Sequence, residues 1–167
     1  MWLFIKNVIF TIFVPGTVAF YIPFRILSGQ LDSFSIQWGL LQYLSIPIFA
    51  MGAAIYFWCL WDFAVTGRGT PAPIDAPKKL VVKGLYRYVR NPMYVGVLSL
   101  ILGWATMYNS YELLKYAILM WVIFYMVVLI YEEPMLKRQF GESYERYRKS
   151  VRRWLPGRRY IGSQPNS

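Results

Sequence analysis

Lys78-Lys-Leu-Val-Val-Lys-Gly-Leu-Tyr-Arg-Tyr-Val-Arg-Asn-Pro-Met-Tyr-Val-Gly96 decides how this chain is read, because a basic, glycine-punctuated, aromatic segment runs without a break into an apolar helix. Cations and aromatic rings of that kind gather where a membrane meets water, and the apolar continuation belongs in hydrocarbon. After one apolar hairpin the chain returns to the same level with Tyr131-Glu-Glu-Pro134 and a strongly basic tail. Two polar segments far apart in sequence are therefore expected to meet, and their meeting place is the expected functional site.

Working outward, the 167 residues are 57% apolar and 19% aromatic, with only eight acidic side chains, too hydrophobic for an ordinary soluble domain. A membrane-spanning helix needs about 20 mostly apolar residues. Trp2 to Phe24, Trp38 to Trp61 and Leu113 to Tyr131 meet or approach that, and Met93 to Tyr108 is a shorter fourth. The first segment has no basic stretch before its apolar run and exceeds the usual signal-peptide core of about 7–15 residues. It is therefore expected to be a mature helix, kinked at Pro15-Gly16. The fold class predicted is all-α integral membrane: about four transmembrane helices, the last two a tight hairpin, plus a cytoplasmic interfacial C-terminal helix.

Basic residues set the orientation. The segment from Asp62 to Asn91 carries Arg68, Lys78, Lys79, Lys83, Arg87 and Arg90, and nine more Lys and Arg follow Tyr131. Both belong on the cytoplasmic side, which predicts a multi-pass protein with N- and C-termini cytoplasmic. The net charge of +10 suits anionic lipid headgroups better than nucleic acid, since the cations flank membrane helices and no nucleic-acid fold signature is present. Membrane lipids and a lipophilic or lipidated small acceptor are the expected partners. Cys59 is the only cysteine and lies in the second apolar segment, and the chain has no His, so disulfide, thiol-nucleophile, zinc and haem chemistry are not expected.

The chain reads as one membrane domain: two helices over 1–61, a cytoplasmic loop over 62–92, a helical hairpin over 93–131, and a basic tail with an interfacial helix over 132–167. Three prolines between Thr66 and Pro77 disfavour helix there and suit a loop arching over a site. Gly96, Ser99 and Gly103 put small residues on one face of the third apolar helix, for close approach of the helix that follows. Leu136, Phe140, Tyr144, Tyr147 and Val151 make an apolar stripe after Pro134, predicted to lie in the interface, with Glu132 and Glu133 in the first turn, where the helix dipole favours carboxylates.

The chemistry follows from residue type. A Rossmann fingerprint is absent, Gly67-Arg-Gly69 being too short a match. Pro92 suits the first position of a helix and Asn91 its cap, and the free backbone N–H groups of a helix start favour an anionic ligand group. Tyr86, Tyr88 and Tyr94 offer aromatic faces for a cation such as a sulfonium. Glu132 and Glu133 can accept hydrogen bonds from ribose hydroxyls or an ammonium group.

Gly84-Leu-Tyr-Arg-Tyr-Val-Arg-Asn-Pro-Met-Tyr-Val-Gly96, a hairpin, then Glu132-Glu-Pro-Met-Leu-Lys-Arg-Gln-Phe-Gly-Glu-Ser-Tyr-Glu-Arg-Tyr-Arg and Arg153-Trp-Leu-Pro156 together resemble the isoprenylcysteine carboxyl methyltransferases and their phospholipid methyltransferase relatives. The resemblance covers Lys78 to Pro156. It implies S-adenosylmethionine held by Lys78, Lys79, Leu80, Val81, Tyr86, Asn91, Pro92, Met93, Tyr94 and Glu132, with Glu133 and Arg90 as catalytic candidates. Two departures stand out: Asn91 occupies a place commonly taken by His, and the Arg that prenylcysteine-modifying members carry about a turn before the glutamates is replaced by apolar Met126-Val-Val-Leu-Ile130. Arg87, Arg90 or a tail arginine is left to substitute.

The implied function is methyl transfer to a lipophilic acceptor at the cytoplasmic interface, such as an isoprenylcysteine-type carboxylate. A phospholipid, amine or thiol acceptor is the alternative within methyltransferases. A sterol-reducing relative would need more helices than this chain supplies, and a non-enzymatic basic membrane scaffold is the alternative outside enzymes.

Overall fold

The computed structural model describes residues 11–29, 38–63, 65 and 80–161, and among these every extended regular element is helical. Helices are what apolar runs of this kind must form in lipid, where each backbone N–H and C=O has to be satisfied within its own segment. A π-helical stretch, Ile12–Tyr21, leads into α1 (Ile22–Ser28). α2 (Leu40–Asp62), α3 (Pro92–Met107) and α4 (Tyr111–Val127) follow, and a π turn, Val128–Glu132, carries the chain from α4 into α5 (Glu133–Ser150).

Among the described residues, two helices are long and apolar enough to cross a membrane, α2 and the one that begins at Tyr111, whereas Phe13–Ser28 and Pro92–Met107 are shorter. The 23 residues of α2 span about 34 Å, more than the hydrocarbon thickness of about 30 Å. At Pro15-Gly16, where a kink is expected, the chain forms ten π-helical residues that contain Pro15. Proline has no N–H to give to the ordinary ladder, and the wider turn absorbs the loss. The helix also runs on past Phe24 to Ser28, with Pro23 in the first turn of α1, where its missing N–H costs nothing.

α3 is the centre of the bundle, and its small-residue face meets α2 rather than the expected α4. A Cβ on Gly52 would lie 2.9 Å from the Gly96 carbonyl oxygen, and one on Gly96 would lie 3.0 Å from that of Gly52. The two backbones touch, which only glycine on both sides permits. Gly103 receives the ring of Phe49 in the same way. α4 packs through larger groups, Ala117 and Met120 joining Tyr56, Val97, Leu100 and Ile101 in one core. A short turn makes consecutive helices neighbours without choosing which face each presents.

The stripe expected to lie on lipid is turned inward. Tyr144, Tyr147 and Val151, with Leu136 and Phe140, pack against Leu80, Val82 and Tyr160. The helix also has no fresh N-terminus at the glutamates, since Glu132 and Glu133 are helical (φ −70° and −62°) and the π turn joins α4 to α5. The dipole argument for those two carboxylates therefore does not apply. Beyond α5, which breaks once at Gly141 (φ 52°), the tail returns along the segment before α3. Arg90 N–H donates to the Arg152 carbonyl (2.9 Å), Asn91 to Arg153 (3.3 Å), Gly157 to Tyr88 (3.0 Å) and Tyr160 to Arg87 (2.9 Å).

Candidate active site

The site is assembled where four pieces of chain converge: the end of α2, the segment 80–91, the start of α3, and the π turn after α4. Leu80, Val81 and Val82 are buried. Gly84 then turns with φ +52°, close against the Asp62 carboxylate and the Trp58 indole, so that a side chain there would collide with α2. The 3₁₀ turn Gly84–Arg87 drives Tyr86 inward. Its ring stands edge-on to Phe63 at 5.5 Å, and its carbonyl accepts from the Tyr147 hydroxyl at 2.6 Å. Burial pushes the Tyr86 phenol well above the ordinary tyrosine range, and burial raises Tyr147 as well. Both stay neutral hydrogen-bonding groups at physiological pH.

Asn91 occupies the cap position of α3, but its side chain makes no capping bond. The Asn91 amide donates instead to the Arg153 carbonyl at 3.2 Å, tying the helix start to the tail. The first N–H groups of α3, those of Met93 and Tyr94, have no intrahelical acceptor by the geometry of a helix start, and the cap supplies none. In the same first turn, the Tyr94 hydroxyl donates to the Glu132 carboxylate. The π turn places Glu132 there; extra residues of this kind inside a helix are frequent at functional sites because they re-aim one side chain.

These groups surround a cavity of about 130 Å³. Of the residues expected to hold a cofactor, Leu80, Val81, Tyr86, Asn91, Met93, Tyr94 and Glu132 line it together. Pro92 is fully buried at the helix start instead of lining the space, and Lys78 and Lys79, like the loop Thr66 to Pro77, lie outside the described residues. Phe63, Leu136 and Tyr147 also line the cavity. Leu136 and Tyr147 carried a sequence signal, since both belong to the apolar stripe that had been assigned to lipid. Phe63 carried none.

The two catalytic candidates differ in what they face. Arg90 lines the cavity. Glu133 is buried among guanidinium groups: Arg153 Nε donates to Oε1 at 2.7 Å and Nη2 to Oε2 at 3.1 Å, Arg90 Nη1 lies 3.1 Å from Oε1, and Arg148 Nη1 lies 3.8 Å from Oε2. Its hydrogen bond with Glu133 holds the Arg153 guanidinium even more firmly charged than usual. Glu133 thus joins the segment before α3, α5 and the tail into one body. Cys59 is fully buried behind Tyr86.

Chemically, the cavity offers an acceptor carboxylate in Glu132, free N–H groups at the start of α3, the flat faces of Tyr86 and Tyr94, and apolar walls from Leu80, Val81 and Met93. That set suits a ligand with hydroxyl or ammonium donors, an anionic end, and a cationic or aromatic centre. S-adenosylmethionine has all of these: ribose hydroxyls and an ammonium, a carboxylate, a sulfonium and an adenine ring.

Residues 40–143 match the model of the phospholipid methyltransferase family. A protein-S-isoprenylcysteine O-methyltransferase of Schizosaccharomyces pombe is 37% identical over 78 residues, 46% of this chain and 33% of that protein. A probable protein-S-isoprenylcysteine O-methyltransferase of Oryza sativa subsp. indica is 34% identical over 79 residues, 47% of this chain and 41% of its own length. The protein-S-isoprenylcysteine O-methyltransferase B of Arabidopsis thaliana is also 34% identical over 79 residues, 47% and 40% of the two chains. The matched stretch thus spans about a third to two-fifths of these relatives. No solved structure gives a significant match.

Proposed function

Because this chain belongs to the phospholipid methyltransferase family, we propose that it is an integral membrane methyltransferase that uses S-adenosylmethionine on a lipophilic acceptor at the cytoplasmic interface. The observation that carries this reading is the convergence of Tyr86, Asn91, Met93 and Tyr94 with Glu132, from two stretches far apart in sequence, on one cavity. When bound, S-adenosylmethionine supplies a methyl group on a positively charged sulfur.

What the protein supplies is alignment and exclusion of water. Glu132, oriented by the Tyr94 hydroxyl, holds ribose hydroxyls or the ammonium group. The N–H groups of Met93 and Tyr94 hold the carboxylate end, and the buried Tyr86 and Tyr147 wall the space against solvent. Lys78 and Lys79 remain proposed contacts, as does Pro92 through the helix start that it forms. Glu133 acts as a positioning residue through Arg90 and Arg153. The acceptor proposed is a carboxylate of the isoprenylcysteine type. Such a group is ionised at neutral pH, its ordinary pKa being about 4, so a chain without His needs no base to activate it.

Calorimetric titration of S-adenosylmethionine and S-adenosylhomocysteine into the detergent-purified chain tests this. The expected result is saturable binding that Glu132→Gln weakens at least about tenfold, the usual scale for a hydrogen bond to a charged group, and that Tyr94→Ala weakens similarly. Absence of binding by well-folded wild-type protein would overturn the proposal.

A further inference from the structure

Beside the cavity, Arg90, Arg148 and Arg153 gather on the Glu133 carboxylate, Arg148 also pairing with Glu145 at 3.3 Å. Arg153 takes Glu133 with two hydrogen bonds, at 2.7 and 3.1 Å, leaving Arg90 with a single 3.1 Å contact and Arg148 with one at 3.8 Å. The other carboxylate of the site, Glu132, is engaged by Tyr94, and no arginine pairs with it among the described residues. A bidentate pair takes the larger share of a carboxylate's charge, so the charge of Arg90 is only partly compensated. Of the three, Arg90 is the one that lines the cavity, with its side chain only 10% exposed.

Two buried donors at this place have no hydrogen-bond partner among the described residues: Arg90 Nε and the indole Nε1 of Trp154. Buried polar groups are seldom left so. Both are donors, so a ligand that completes them brings acceptor oxygens, and the arginine excess favours oxygens that carry negative charge. Trp154 stands against the cavity wall, its ring 6.4 Å from that of Tyr94 and 6.4 Å from that of Tyr125, while Tyr94 packs on Phe124 at 4.6 Å. These rings join the start of α3 to α4 in one aromatic cluster, the apolar side of the site. The backbone bonds from Arg90 and Asn91 to the tail set Trp154 in this position.

Building on the methyltransferase reading, we propose that Arg90 and Trp154 form the acceptor-recognising end of the pocket, binding an anionic oxygen group, carboxylate or phosphate, carried on an apolar chain. The test uses the full chain in phosphatidylcholine nanodiscs saturated with S-adenosylhomocysteine. Two probe pairs are titrated: N-acetyl-S-farnesylcysteine against its methyl ester, and lysophosphatidate against the monoacylglycerol of the same chain. The expected result is that at least one acid binds about tenfold or more tighter than its neutral counterpart, and the acid that does so identifies the source of the charge. Trp154→Phe, which keeps a ring and loses the N–H, should reduce that preference about tenfold while S-adenosylhomocysteine affinity stays within about twofold. Arg90→Lys, which keeps the charge and loses the Nε donor, should reduce it also.

Equal binding of each acid and its neutral partner would overturn the proposal, as would an unchanged preference in Trp154→Phe, or loss of S-adenosylhomocysteine binding in parallel with the acid. Wild-type protein that fails to bind S-adenosylhomocysteine would sink the methyltransferase reading separately. An acid preference abolished by Trp154→Phe would still support the anion site in that case.

Discussion

Removing the Glu133 carboxylate strands positive charge where water barely reaches. Its side chain is 8% exposed, that of Arg90 10% and that of Arg153 25%. Breaking a buried ion pair by deleting one partner costs about 3–5 kcal/mol, because the surviving charge loses its compensation. Arg153 is a quarter exposed and recovers some hydration, so Glu133→Gln should sit near the lower end, about 3 kcal/mol. In a chain of this size each kcal/mol moves Tm by roughly 2–4 °C, which predicts a fall of about 6–12 °C. Arg153→Gln leaves Glu133 with Arg90 and Arg148 and should cost less, about 1–2 kcal/mol. With both replaced, the orphaned Arg153 charge is gone, so the double variant should be more stable than the sum of the single losses by about 1–2 kcal/mol. The assay is thermal unfolding of all four proteins in one detergent at one scan rate, so that their Tm values are comparable. Strict additivity, or a Glu133→Gln protein within about 2 °C of wild type, would refute the reasoning. A variant that kept its Tm while losing methyl transfer would make Glu133 a group of the reaction and not a clamp.

Two further outcomes test the packing. Gly96→Ala forces a Cβ to 3.0 Å from the Gly52 carbonyl oxygen and the Tyr56 N, both backbone, and should cost about 1–3 kcal/mol, seen as a lower Tm; unchanged stability would mean that the helices are free to separate. In hydrogen exchange, the amides of Gly157 and Tyr160, which donate to Tyr88 and Arg87, should be protected together with those of Arg90 and Asn91. Exchange of Gly157 and Tyr160 at the rate of an unstructured peptide would show that the tail is not held against the site.

Much of the molecule is legible in its sequence. Apolar length and the placing of Pro92 and Gly84 are local properties, and α2, α3 and α4 begin and end within a few residues of where the runs of apolar residues do. That the segment before α3 and the glutamates lie at one level follows from the hairpin between them, which must bring its two ends back together. Partnership was not legible. Gly96 advertises that some backbone comes close, yet the missing half of the contact is Gly52, a glycine in an apolar run that nothing in its own neighbourhood marks as special. The stripe of Leu136, Phe140, Tyr144 and Tyr147 is apolar whether it faces lipid or protein, and only Leu80, Val82 and Tyr160 arriving on that face decided which. Asn91 reads as a cap by type, but its amide is taken by a carbonyl in the tail. Any of the nine basic residues after Tyr131 could have met Glu133, and the return of the chain beside 87–91 made Arg153 its bidentate partner, with Arg148 at 3.8 Å. The sequence by itself determined the helices, their apolar character and the residue types gathered at the candidate site, because hydropathy and backbone preference act over a few residues. Which face met which, and which cation met which carboxylate, were decided only by the tertiary structure, because such pairings join distant residues whose local signals are the same for many partners.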